Sequence, residues 1–563
     1  MKTLYLLTLL FISSILSAQG QLPAEIISNI EGRVDAKMNP SIVVGVVEGN
    51  SSKAYVFGER AYGEGDADEH SIYEIGSISK VFTGIMLADQ IVKGNMSADD
   101  PISSYLKNMK LPTYEGKEIT LGHLSDHTSS LPRMPGNYNP SDPTNPYADY
   151  TPELLYECLS TIELERPIGS EYAYSNLAQG LLGHILELHT GKSYETLLSE
   201  IITEPLGMAE TRVAFSPLMK KNLAIGYSMG QKTSNWDIAT LTGAGAIRSS
   251  VHDMMIFLSA NLGLIDTPLK DAIDLSHQMR HDKTGSGGVA LGWHIRNLKN
   301  GHEVITHGGA TGGYRAFAAI DKIDKKGVIV LTNSDNDADD IGRYLIGAEI
   351  ELAAPEYDVA ILLREWIDKK GIDVALEEFE KLKESNDDNY SVVESSINRL
   401  GYQYMSKDNL ETAIALFQLN IDEHPKSFNV YDSYAEALME QSIANYQKSL
   451  ELNPQNENAT EMLTKMGVKT DAKEVSVSEE ILEKYSGRYE IAPTFHLDVR
   501  HRSGRLFTQA TGQSEFEIFP STQTRFYLKV VEAQLEFHVD ATGNVTGLTL
   551  YQGGRETPGK KVE

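Results

Sequence analysis

The sequence predicts an α+β domain, followed by an α-helical repeat module and then a small antiparallel β meander or partial barrel. Three observations carry this. Strand-like runs stand at both ends of residues 22–352 with helix-period segments between them. Over residues 355–468 the strand signal vanishes while Glu, Lys and Leu rise, and over 478–563 apolar residues recur at period two. A chain of 563 residues has room for several such domains.

In the first domain, residues 42–47 form a mostly β-branched run, Glu48, Gly49 and Asn50 make a turn, and residues 53–58 return as a second strand. Three further strands are expected over 304–307, 314–320 and 328–333, joined by turns at 308–313 and 321–327. The expectation is therefore a five-stranded antiparallel sheet built from the two ends of the domain. Between them, residues 77–93 carry apolar side chains at 78, 81, 82, 85 and 86, which is helical spacing, and stop at Gly94. Residues 176–190 form another helix, stopped by Gly191, and Ser250 with Asp253 gives a capping-box-like start to a third.

The helical module resembles a pair of tetratricopeptide repeats: Leu400, Gly401, Tyr404, Ala413, Phe417 and Pro425 in the first, and Ser442, Tyr446 and Pro454 in the second. First helices are offset by 34 residues but second helices by 29, so five residues equivalent to 408–412 are missing. Either the second repeat turns very tightly or its two helices fuse. In the last segment Phe495, Leu497, Val499, Phe516, Ile518, Phe526, Leu528, Leu535, Phe537, Val539, Leu548 and Leu550 alternate, with glycine turns at Gly504, Gly512 and Gly543.

Composition narrows the function. With 41% hydrophobic and 23% charged residues the chain is an ordinary globular protein, and a net charge of -29 repels phosphate backbones and anionic lipid alike. Partners are therefore small molecules or peptides, with the helical repeats offering a protein contact. The single Cys158 can form no internal disulfide, and its apolar helical setting at 154–159 places it in the core. Residues 1–20 read as a signal peptide: Lys2, an apolar run from Leu4 to Leu16, then small residues with cleavage near Ala18 or Gly20. Export to the periplasm or medium follows, and no later run is long enough to span a membrane.

Three segments carry chemistry. In Tyr73-Glu74-Ile75-Gly76-Ser77-Ile78-Ser79-Lys80, a serine at a helix start has a lysine three residues on, so the amine can reach the hydroxyl as an activated nucleophile requires. The spacing alone is common, and Ser104 with Lys107 matches it too, without a following long apolar helix. Tyr174-Ser175-Asn176 opens a helix, and its phenol needs a neighbouring cation, which Lys80 could supply, before it could ionise near neutral pH. His307-Gly308-Gly309 ends a strand, where glycines let a substrate backbone lie along the edge. A zinc site at His123 and His127 is not supported, because no Glu stands beside His123 and no third ligand is evident. No metal or cofactor is expected.

In this order, with gaps of 97 residues from Ser77 to Tyr174 and 133 from Tyr174 to His307, the three segments resemble the motif set of class C β-lactamases, D-alanyl-D-alanine carboxypeptidases, D-aminopeptidases and related esterases. His127-Thr128-Ser129-Ser130-Leu131-Pro132 is similar to the family's His-Thr-Ser-Gly-Leu-Pro stretch, with Ser130 in place of glycine. The resemblance implies a β-lactamase/transpeptidase-like domain in which Ser77 attacks a carbonyl and Lys80 and Tyr174 move its proton. It further implies that Asn176, His307, Gly308 and Gly309 hold substrate, and that the amides of Ser77 and Ala310 form the oxyanion hole. The last module resembles the lipocalin-like appendage of related hydrolases. Class C β-lactamases carry Lys-Thr-Gly where His307 stands. A literal Lys283-Thr284-Gly285 occurs, but in a polar stretch expected to be loop with no strand before it. A histidine, mostly neutral at pH 7, attracts a carboxylate less than lysine does, which favours D-peptidase and esterase readings beside the β-lactam one. A reading of another class is a sensor that binds β-lactams or wall peptides without turnover.

Overall fold

The computed structural model describes residues 21–282, 287–385, 389–453, 456–469 and 475–562. The expected signal peptide, Lys283 to Gly285 and Pro454 lie outside them. The chain divides into two compact units, one through Ser396 and one from Ile397.

The first unit is built on an antiparallel sheet of strands β1 (Ser41–Glu48), β2 (Ser51–Gly58), β3 (His281–Asp282), β4 (Gly287–Val289), β5 (His294–Asn297), β6 (Glu303–Ala310), β7 (Arg315–Asp321) and β8 (Lys326–Thr332). The order across the sheet is β2-β1-β8-β7-β6-β5-β4-β3. The N-terminal hairpin joins the C-terminal strands through β1 and β8, Ile42 opposite Thr332 and Glu48 opposite Lys326. The expectation of five strands is corrected to eight among the described residues. β3, β4 and β5 are short, and β3 and β5 are polar, so they carry no apolar period to read. The stretch around Lys283, expected to be a loop with no strand before it, is flanked by β3 and β4, which pair Asp282 with Gly288.

Both faces of the sheet are covered, and period-two alternation sorts the side chains. Ile42 and Val44 pack with Ile26, Ile30, Phe317 and Ile341 on one side, whereas Val43 and Val47 pack with Phe82, Phe257 and Trp293 on the other. Gly45 lets the helix Val251–Asn261 lie directly on β1: a Cβ there would stand 2.6 Å from Ile329 and 2.7 Å from Met255. On the sheet's other face the helix Ala24–Asp35 is tied to the helix Asp339–Leu345 by Arg33, fully buried, whose guanidinium donates to both carboxylate oxygens of Asp340.

Three helices position the site. The segment from Ser77 begins as a single 3₁₀ turn, Gly76–Ile78, before the α-helix Ser79–Val92. The helix Asn176–Thr190 is capped by Ser175, whose hydroxyl accepts from the Ala178 amide, and closed by Gly191 at φ 70. Ser250 caps Val251–Asn261 by accepting from the Asp253 amide. Cys158 is buried in the helix Pro152–Thr161.

In the second unit the 29-residue offset is explained by fusion: Phe428–Leu452 is one helix of 25 residues, following Leu410–Glu423. Residues 487–561 close into an antiparallel barrel of eight strands, the first (Gly487–Ala492) pairing with the last (Arg555–Lys561) through Tyr489 and Lys561. The sequence left the meander open because its last strand, Arg-Glu-Thr-Pro-Gly-Lys-Lys, has no apolar alternation. Leu497, Val499, Leu506, Ile518, Phe526, Phe537 and Leu548 fill the barrel together with Leu482 and Tyr485 of the helix Glu479–Tyr485. Among the described residues no helix is long and apolar enough to cross a membrane.

Candidate active site

Ser77 sits in the 3₁₀ turn and Lys80 in the first turn of the helix that follows, so both side chains emerge on one face. Lys80 Nζ lies 2.9 Å from Ser77 Oγ and donates to the carbonyl of Ala244 at 2.6 Å. That second bond fixes the amine's orientation toward the serine. The turn itself is pressed against β6. Gly76 adopts φ +50, and a Cβ there would stand 2.6 Å from the Ala310 amide nitrogen; a Cβ on Gly309 would stand 2.0 Å from the Ile75 carbonyl and 3.3 Å from the Ser77 nitrogen. The two glycines therefore bring the amides of Ser77 and Ala310 side by side.

Tyr174 is held over this turn from another part of the chain. The segment that contains the His-Thr-Ser-Ser-Leu-Pro stretch clamps it: the Ser175 amide donates to His127 Nδ1 at 3.1 Å, the Ser175 hydroxyl to the Pro132 carbonyl at 2.7 Å, and the Asn176 amide to the Arg133 carbonyl at 2.9 Å. His127 stacks on the Tyr174 ring with centroids 4.5 Å apart. Ser130 holds φ 64, the left-handed conformation that glycine adopts freely, at a cost of about 1 kcal/mol. The structure thus brings Ser77, Lys80 and Tyr174 together: the amine lies 4.9 Å from the Tyr174 ring centre, and Ser77 is near enough to the phenol to lower its pKa.

Burial decides the protonation of these groups. Lys80 is fully buried; desolvation, with the nearby charge of Arg133, drives its amine well below the usual lysine range. The same desolvation raises the Tyr174 phenol, more than Ser77 and Arg133 lower it. A phenolate stabilised by Lys80, as the motif alone suggested, is not what this environment favours. The amine is the better base.

The remaining sequence-predicted residues line the same place. Asn176 Nδ2 donates to Met134 Sδ at 3.5 Å, and its buried Oδ1 has no partner among the described groups. His307, 2% exposed, gives its Nδ1 proton to the Gly308 carbonyl at 2.6 Å. Desolvation, with His294 and Lys80 close by, holds its pKa well below the usual histidine value, so it stays neutral and offers no cation. β6 faces the Ser77 turn, which places His307-Gly308-Gly309 beside Ser77.

Sequence reading did not single out Arg133, His294 or Tyr172. Arg133 is exposed, with its guanidinium 5.1 Å from the Tyr174 ring centre. His294 on β5 stacks on His307 at 4.8 Å and bonds the Tyr172 hydroxyl at 2.9 Å. Arg133 directly follows the His127–Pro132 stretch and could have been noted there; His294 lies in a strand too short to show a pattern. His123, weighed as a metal ligand, instead accepts from the Thr120 amide through Nδ1 in a capping box. Tyr138, Tyr147 and Tyr150 of the adjoining loop pack on one another, and Tyr147 reaches Trp236 at 5.4 Å.

Residues 26–350 match the family model for Beta-lactamase. The chain belongs to the beta-lactamase family. Among its relatives in that family, the D-alanyl-D-alanine-carboxypeptidase/endopeptidase AmpH of Escherichia coli (strain K12) is 30% identical over 307 residues, spanning 51% of this chain and 78% of AmpH. A Beta-lactamase of the same organism is 25% identical over 303 residues, 47% of this chain and 76% of that protein. The solved class C beta lactamase from Rhodobacter sphaeroides aligns with 23% identity and a TM-score of 0.48, covering 56% of this chain and 95% of that one. Outside the beta-lactamase region, residues 471–561 match a domain of unknown function (DUF3471).

Proposed function

We propose that the chain is a serine hydrolase of class C β-lactamase type that opens a β-lactam or a related amide through an acyl-enzyme on Ser77. The observation that carries this is the 2.9 Å approach of a buried, readily deprotonated Lys80 amine to the Ser77 hydroxyl, beside the amides of Ser77 and Ala310. Lys80 takes the Ser77 proton as Oγ attacks the carbonyl carbon. The developing oxyanion accepts from the two amides, each such donor contributing about 3 kcal/mol in comparable sites. The proton passes through the Tyr174 hydroxyl to the leaving nitrogen as the C–N bond breaks, and water then hydrolyses the ester on Ser77. Asn176 orients the substrate amide, and His307, Gly308 and Gly309 form the edge against which it lies.

A second reading, a D-amino-acid peptidase or carboxylesterase, is favoured by His307: neutral and buried, it supplies no ion pair to a substrate carboxylate. The AmpH name, D-alanyl-D-alanine-carboxypeptidase/endopeptidase, agrees with it. Hydrolysis of nitrocefin, a D-alanyl-D-alanine peptide and a p-nitrophenyl ester by wild type and Ser77→Ala ranks these substrates. A Ser77→Ala protein as active as wild type on all three removes Ser77 from the mechanism, and wild type that is acylated but turns over none of them makes the protein a sensor. We further infer that residues 1–20 direct export to the periplasm or medium. The boundaries 22–352, 355–468 and 478–563 would then delimit a hydrolase domain, a tetratricopeptide-like module available for a protein contact, and a lipocalin-like β domain.

A further inference from the structure

Away from the Ser77 site, three segments of the first unit meet at His70, Glu210 and His252. Each offers a ligand atom, and these atoms all lie within 4.8 Å of one another. His70 precedes the two-residue strand Tyr73–Glu74; His252 is the second residue of the helix Val251–Asn261, just after Arg248–Ser249, the strand that pairs with Tyr73–Glu74. The His252 amide donates to the Glu69 carbonyl at 3.2 Å, which joins the two segments, and the two imidazole centroids are 5.0 Å apart. Glu210 is anchored at its own end: its amide donates to Asp253 Oδ2 at 2.7 Å, and the Ser250 hydroxyl donates to its Oε2 at 2.6 Å.

We propose that His70, Glu210 and His252 form a binding site for a divalent transition-metal ion, with zinc the best fit. Two imidazoles and one carboxylate form a donor set suited to zinc, with the fourth position left to water. His70 Nδ1 hydrogen-bonds Glu210 and lies 3.0 Å from its Oε1, a little short of the roughly 3.3–3.4 Å edge of a tetrahedron with bonds of about 2.0–2.1 Å, so an ion would replace the shared proton and part the two atoms slightly. His252 Nδ1 faces Asp253 Oδ1 at 3.2 Å, and Asp253 is 1% exposed. A carboxylate in that position keeps the proton on Nδ1 and leaves the Nε2 lone pair for a metal, the outer-shell arrangement typical of metal-binding histidines. The His70 and His252 side chains are 43% and 42% exposed, so an ion can enter and keep a water ligand. Glu69 adds a further carboxylate, 3.6 Å from His70 Nε2, and among the described residues no lysine or arginine forms an ion pair with Glu69 or Glu210. The other cluster of this kind among the described residues, His302 with Asp321 and Asp324, is a poorer candidate: it has one imidazole, and Asp321 Oδ1 already accepts from the amides of Ile323 and Asp324.

An ion here would tie the loop before Tyr73–Glu74 to the start of the helix Val251–Asn261. The test is calorimetric titration of the chelator-stripped full chain with zinc chloride, with thermal melts in parallel. One ion per chain and a rise in wild-type Tm with zinc are expected. His70→Ala and His252→Ala, at partly exposed positions, should fold and should weaken binding roughly tenfold or more. Glu210→Gln, which keeps an acceptor for Ser250, should weaken it as well, and all three should lose the zinc-dependent shift in Tm. Folded wild type that binds no zinc, or a His70→Ala/His252→Ala double variant that binds it as wild type does, overturns the proposal.

Discussion

Replacing Gly309 with alanine tests the geometry on which the proposed chemistry depends. A Cβ at this position would stand 2.0 Å from the Ile75 carbonyl oxygen and 2.9 Å from its carbon, both backbone atoms that no rotamer change can move aside. Ordinary contact begins near 3.4 Å, so β6 and the Ser77 turn must separate by about 1.4 Å to admit the methyl group. Oxyanion donors act over 2.7–3.1 Å, and a misplacement of about 1 Å costs on the order of a hundredfold in rate. Gly309→Ala should therefore lower kcat/KM by about 10²–10³, the loss expected for one oxyanion donor, while the sheet, held by the pairing of β6 with both neighbours, stays folded. The assay is steady-state hydrolysis of whichever substrate wild type turns over, with circular dichroism and a thermal melt on the same preparation. A folded Gly309→Ala protein within threefold of wild type would refute the claim that the Ala310 amide works beside Ser77.

Other outcomes follow from burial. Because the Lys80 amine is pushed down by desolvation and must be neutral to accept a proton, kcat/KM should fall as pH drops through its lowered pKa; Lys80→Arg, which cannot deprotonate, should lose about 10²–10⁴ in kcat/KM while melting as a folded protein. Burial, with Lys322 nearby, takes His277 to about 3 in the folded state against about 6.5 unfolded. Between those values the unfolded chain holds the extra proton, so stability drops by about 1.4 kcal/mol for each unit that the pH is lowered and levels off below about 3; His277→Gln, which can still meet Asn261, should flatten urea midpoints measured from pH 7 to 4. Arg33→Ala leaves the Asp340 carboxylate without its buried partner and should cost about 3–5 kcal/mol in chemical denaturation.

What the sequence disclosed follows physical periodicity. The helix Asn176–Thr190 was legible residue for residue because a capping serine, a helical apolar stripe and a left-handed glycine all point the same way. β1, β6, β7 and β8 were legible because their faces alternate toward two packed layers. β3 and β5, and the barrel's last strand, were not: they are short or dominated by polar residues, so no apolar alternation in their sequence reports the pairing. At the site, Ser77, Lys80 and Tyr174 announce themselves by residue type at fixed spacing. His294 and the Ala244 carbonyl do not, since a stacked ring and a backbone acceptor are selected by position in three dimensions. The protonation states were hidden for the same reason: only burial could reveal that Lys80 is depressed and Tyr174 elevated.

That last point separates two mechanisms that share the same residues. If Tyr174 were a phenolate and the general base, removing its hydroxyl would impair attack on every substrate alike. On the proposed mechanism, with the phenol raised by desolvation and the Lys80 amine lowered, attack needs Lys80, and Tyr174 is needed chiefly to carry the proton onward to the leaving atom. A p-nitrophenolate departs without protonation, whereas an amide nitrogen does not. Tyr174→Phe should therefore lose about 10²–10⁴ in kcat/KM on an amide or β-lactam substrate and far less on a p-nitrophenyl ester, with Lys80→Arg impaired on both. The phenyl ring preserves the stacking on His127, so the fold is retained. Equal losses on ester and amide in Tyr174→Phe would return the base to the tyrosine and reject the assignment made from burial.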